Sequence, residues 1–150
     1  MELDYHIYNN EALVASLIHG VLKRTMRMNV AVAAALLPLV LDESVCNLVE
    51  NRHFALVNVL QIRKNKLLNF NDQYRDALPI LINGVSVLLD LHLVSLESES
   101  IVLLDVNTRI LDVGECLRLE RLVRVFFQLY QEAVRMKLSV SSHFRPSCVR

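Results

Sequence analysis

Residues that could do chemistry are few in this chain, and they are scattered. The five histidines, His6, His19, His53, His92 and His143, form no HxxxH or HExxH pair, and none lies within four residues of a cysteine. A zinc site would have to gather its ligands from distant stretches. No GxGxxG, GxxxxGK[ST] or GxSxG run occurs, and three scattered glycines cannot build the phosphate-cradling loops those motifs describe. Asp72 with Asp76, and Glu115 with Glu120, fall in polar helical contexts that suit solvated faces or caps. Cys46 sits among apolar neighbours, which raises a thiol pKa and leaves it inert. The expectation is a non-enzymatic chain with no catalytic residue, no cofactor and no metal.

Two basic groups remain. Arg63, Lys64 and Lys66, with Arg75 downstream, are candidate contacts for nucleic acid or a partner, since guanidinium and ammonium groups bind phosphate or carboxylate. The helix that would follow them, ILINGVSVLLDLH, offers Asn83, Ser86 and His92 but neither Arg nor Lys. Reading bases in a major groove calls for Arg, Lys, Asn or Gln at exposed positions, so sequence-specific DNA binding by this helix is not expected. Arg118, Arg121, Arg124, Gln128 and Arg135 line one side of the last long helix. They are candidate partner-facing residues, a solvated face being the plainer alternative.

Hydrophobic spacing supplies the elements that would carry these residues. Asn9 and Asn10 are suitable N-caps for a helix over about Glu11–Thr25, whose apolar positions Leu13, Val14, Leu17, Ile18, Val21 and Leu22 recur at helical spacing. Lys23, Arg24 and Arg27 close it. Asn29 can cap VAVAAALLPLVL, a segment apolar all round that has to be buried, with Pro38 ending or kinking it. Asp42 can cap the short helix ESVCNLVE. Helical stretches follow from Phe54, interrupted by RKNK, and Pro79 suits the first turn of the next helix. LVSLE and IVLLDV then read as a hairpin around Ser98, Glu99 and Ser100. Asp112 and Glu115 have capping-box spacing before a long amphipathic helix with the stripe Leu119, Leu122, Val123, Phe126, Leu129, Tyr130 and Ala133. The fold class expected is mainly α with one β-hairpin. It is a winged-helix-like helical domain over 1–139 with a long C-terminal amphipathic helix, and 140–150 forms a flexible tail.

Composition sets the kind of work such a domain does. Hydrophobic residues make up 53% of 150 and charged residues 21%, and mean hydropathy is +0.35. A domain this small leaves much of its surface in water, so apolar excess points to a protein interface. Lys+Arg and Asp+Glu are both 16, a balance unlike that of domains that neutralise phosphate generally. Cys46, Cys116 and Cys148 are widely spaced thiols suited to a reducing compartment. The opening residues lack a basic n-region, and the longest apolar run, Val30 to Leu41, falls short of the roughly 20 residues a spanning helix needs. The expectation is a cytoplasmic protein with no membrane contact.

Several stretches resemble a family. NNEALVASLIHGVLK is similar to the Asn-Pro-Ala-start helix of the small middle component in bacterial three-component ABC-ATPase systems. LLPLVLDES resembles that family's Leu-Pro segment and polar turn. YRDALPILINGVSVLLDLHLVSLES resembles its Arg-x-x-x-Leu-x-Pro stretch, helix and hairpin. Asn10 replaces a common Pro, no aromatic stands near Val59 and Leu60, and the Gly that often precedes the hairpin is replaced around His92. The resemblance implies a defence complex of the Lamassu kind, active against phages or plasmids. There an SMC-type ATPase subunit senses foreign DNA, an effector subunit (often a nuclease) acts, and the middle subunit links them without chemistry of its own. DNA would be met through the complex, and only weakly by this chain. Winged-helix accessory subunits of SMC-type ATPases are a similar case. The competing expectation is a stand-alone winged-helix transcription regulator that binds DNA as a dimer.

Overall fold

A computed structural model describes the backbone of residues 2–51, 70–108 and 117–143, and the side chains of 11–51, 70–108 and 117–136. Two short polar side chains start two of its helices, as expected. Asn29, in extended conformation, accepts at Oδ1 from the Val32 N–H at 3.2 Å and opens helix α2 (Val30–Val40). Asp42 accepts at Oδ1 from the Ser44 N–H at 2.9 Å and opens α3 (Glu43–Asn51). Between these helices the chain turns by 95°. Pro38 neither ends nor delays α2, which runs two residues beyond it to the Leu41 cap.

Helix α1 spans Glu2–Thr25, so Asn9 and Asn10 lie inside it and not at its start. An interior Asn costs at most about 0.7 kcal/mol relative to Ala, too little to stop a helix. Helix α4 runs unbroken over Phe70–Asp90, with Pro79 in its middle instead of at a start. Pro79 and Arg75 are both exposed, so the carbonyl that loses its partner lies on the water side. Helix α4 ends in a Schellman motif. His92 N–H donates to the Leu89 carbonyl at 2.9 Å, and Leu93 N–H donates to the Leu88 carbonyl at 3.0 Å. His92 is left-handed (φ 55°), the position where glycine is preferred.

The expected hairpin is present as β2 (Val94–Glu97) and β3 (Ser100–Leu103), with a two-residue turn because Ser100 already pairs with Glu97. A third strand was not anticipated. β1 (Arg27–Asn29) pairs antiparallel with β3, giving the order β1-β3-β2 with Met28 opposite Ile101. Helix α5 (Leu117–His143) closes the described chain, so the first residues of the expected tail are helical. The proposed capping box, Asp112 and Glu115, lies outside the described residues, as do 144–150.

Helix α1 packs against both α4 and α5, and α2 fills the remaining angle between them. The core is therefore built from Leu17, Ile18 and Leu22 of α1, Leu37 of α2, Leu88 of α4 and Phe126 of α5, all fully buried. Gly20 lets α1 approach α5 closely. A Cβ there would stand 2.7 Å from Val123 Cγ2. Mainly helical with a small antiparallel sheet, the fold has the expected class. Among the described residues, no single helix is long and apolar enough to cross a membrane.

Candidate functional site: the outer face of α4 and an arginine cleft

Helix α4 turns Ala77, Leu81, Val85 and Leu88 inward and leaves the opposite face open. The charged members of that open face are Asp72, Arg75, Asp76 and Asp90, an acidic majority. The polar side chains that the second half of α4 and its cap could present to a base are each bonded within the chain, while Asn71, Gln73 and Arg75 near its start are exposed. Asn83 Nδ2 donates to Glu11 Oε1 at 2.5 Å, Ser86 Oγ donates to the Ile82 carbonyl at 2.8 Å, and His92 Nδ1 lies 3.2 Å from the Leu89 carbonyl. Large apolar side chains are exposed beside them. Ile82 on α4 is 60% exposed, and Leu91, Leu96 and Leu104 around the hairpin are each more than half exposed.

The predicted partner-facing residues of α5 divide. Arg118, Arg124, Gln128 and Arg135 are exposed, and Arg135 pairs with Glu132 one turn back at 3.0 Å. Arg121 is engaged inside the chain instead. Its Nε donates to Glu50 Oε2 at 2.7 Å, one terminal nitrogen to Glu43 Oε1 at 2.7 Å, and the other to Asn47 Oδ1 at 2.6 Å. These bonds push its pKa further up and fasten α3 onto α5. Arg75 is exposed on α4, apart from the α5 set, while Arg63, Lys64 and Lys66 lie outside the described residues.

A second basic feature escaped the sequence reading. The end of α1, strand β1 and α5 enclose an open cleft of about 460 Å³. Arg24, Arg27 and Arg135 surround it, with Phe127 and Tyr130 forming one wall. The Arg24 guanidinium lies 5.6 Å over the Phe127 ring. Arg27 pairs with Glu97 across the sheet, and its carbonyl accepts from the Tyr130 hydroxyl at 3.5 Å. The signal was the run KRTMR, which read only as the basic end of a helix.

Titratable groups elsewhere are structural. Cys46 is buried and donates to the Val40 carbonyl at 3.1 Å, and burial pushes its thiol pKa up, as expected. His19 and Ser16 of α1 are buried, with the His19 Nε2 and the Ser16 hydroxyl unpartnered among the described residues. Burial lowers the His19 pKa, Lys23 lowers it further, and Asp105 opposes both. Among the described residues, no group of three or more His, Cys, Asp or Glu side chains could hold a metal ion. Compared with known proteins, the chain matches no family model, no curated protein and no solved structure.

Proposed function

We propose that this chain is a non-catalytic docking subunit that links an SMC-type ATPase to an effector subunit in a prokaryotic defence complex. The observation that carries the reading is the outer face of α4, with Ile82 open to water and Asn83, Ser86 and His92 bonded internally. Exposed large apolar side chains of this kind lose less by meeting a protein than by remaining hydrated. The element order α1-β1-α2, then α4-β2-β3, with strand order β1-β3-β2, also supports a winged-helix-like reading. Among DNA-binding proteins of that shape the recognition helix is the one before the hairpin. Here that helix is acidic and apolar, which favours a protein partner over DNA.

The test is expression of the chain alone and together with the products of its neighbouring genes. Alone, it is expected to self-associate in light scattering. With a long coiled-coil ATPase encoded beside it, it is expected to elute as a soluble complex. A stable monomer that ignores its neighbours overturns the proposal. A dimer that protects one preferred DNA sequence would establish the regulator instead.

A further inference from the structure

We infer that the cleft bounded by Arg24, Arg27 and Arg135 receives acidic side chains of a partner protein. The inference rests on the docking reading and deepens it by naming the chemistry one partner brings. Arg24 is the centre of the site. Its guanidinium carbon lies 5.6 Å over the centroid of the Phe127 ring, a cation–π contact at the wall of the cleft. Among the described residues no carboxylate lies within ion-pair distance of Arg24, although it is exposed. An exposed guanidinium without a carboxylate partner among the described residues suits the two oxygens of an incoming carboxylate, which can accept a parallel pair of hydrogen bonds.

Flanking groups decide what kind of anion fits. Arg27 is paired with Glu97 and Arg135 with Glu132, and the four side chains are at least partly exposed. Exposed pairs like these are weak and exchange readily. Three guanidinium groups against two carboxylates leave one net positive charge in the cleft. Double-stranded DNA presents a phosphate charge about every 1.7 Å along its axis and favours an extended basic track. Here the basic groups are gathered into one recess with acids at its rim, which repel a polyanion yet admit one or two carboxylates. Phe127, Tyr130 and Val134 add an apolar wall. The expected ligand is therefore a peptide segment with Asp or Glu beside an aliphatic or aromatic residue.

A display library of random dodecapeptides, panned against the full chain, tests this directly. Wild-type protein is expected to enrich acidic sequences with a neighbouring apolar residue. The enriched peptide, fluorescein-labelled, should bind Arg24→Gln at least about ten-fold more weakly, as for loss of a charged hydrogen-bonded pair. Arg24→Lys keeps the charge but loses the planar fork of donors, so its affinity should fall between the two. Arg135→Gln, at an exposed site, gives an independent loss, and circular dichroism checks that each variant is folded. A consensus without acids, or an acidic peptide that binds Arg24→Gln undiminished, overturns the inference. So does a single-stranded oligonucleotide of like length that binds tighter than the peptide through Arg24. If the chain still forms its complex with the ATPase while the library yields no acidic consensus, docking runs through another face and only the cleft assignment falls.

Discussion

Replacing Gly20 with alanine puts a methyl group where Val123 already stands. The new Cβ would lie 2.7 Å from Cγ2 and 3.4 Å from Cγ1 of that residue, against a carbon–carbon optimum of roughly 3.5–4.0 Å. Val123 is buried in a helix, where a β-branched side chain has one strongly preferred rotamer, so it cannot swing clear. The helices must separate or the rotamer must strain. Overpacking of this kind costs about 1–3 kcal/mol, and the better helix propensity of alanine returns about 1 kcal/mol. The net expectation for Gly20→Ala is a loss of about 1 kcal/mol, reaching roughly 2 if α1 cannot shift. In a chain of this size each kcal/mol moves the midpoint of thermal unfolding by about 2–4 °C. Urea unfolding of wild type, Gly20→Ala, Val123→Ala and the double variant closes a cycle. The methyl added at position 20 fills part of the space that Val123→Ala vacates, so the double variant should be more stable than the sum of singles predicts, by about 1 kcal/mol. An additive cycle, or a Gly20→Ala protein as stable as wild type, refutes the close-approach argument. The stakes reach the cleft, because Arg24 and Phe127 each sit one helical turn beyond this contact.

Further outcomes are expected elsewhere. His92→Gly should stabilise the chain by roughly 0.5–1 kcal/mol, since it relieves a left-handed non-glycine residue at the end of α4, a gain partly offset by the greater entropy of glycine in the unfolded chain. A decrease in the urea midpoint would contradict that. Arg121→Ala should release α3 from α5 while the rest of the fold persists. Amide exchange over Glu43–Asn51 should quicken, and a thiol reagent slow toward Cys46 in wild type should react faster. Unchanged protection would show that α3 is held by its apolar face alone. For pH, the folded His19 has a lowered pKa, so the unfolded chain takes up its proton first. Stability attributable to His19 is full above about pH 6.5 and falls as pH drops below it, levelling off once the folded form is protonated too. His19→Gln should flatten this part of the stability–pH curve, and a slope identical to wild type would sink the assignment.

How much was legible in the sequence depended on how far each residue's partner lay from it. Asn29 and Asp42 bond backbone two or three residues ahead, so their capping roles could be read locally. The hairpin showed itself through alternation over adjacent runs. β1 did not, because three residues make no period and its partner lies more than seventy positions away. Pro79 was misjudged as a helix start because the cost of proline depends on whether the freed carbonyl meets water, which only packing decides. Arg121 looked like its neighbours on the α5 face. Its role became visible only when α3 was seen to bring Glu43, Asn47 and Glu50 against it. Arg24 and Phe127 are about a hundred residues apart, so their cation–π contact left no mark on spacing.

The position of β1 has a consequence for how the polypeptide is made. Its carbonyls and amides reach their match only when β3 leaves the ribosome, long after α1 and α2 have emerged. Until Leu103 is synthesised, the Arg27–Asn29 edge stays unpaired next to the apolar helix α2, a nascent intermediate open to wrong strand partners. A chaperone, or prompt completion of the chain, would therefore matter more to this small protein than its mostly helical content suggests.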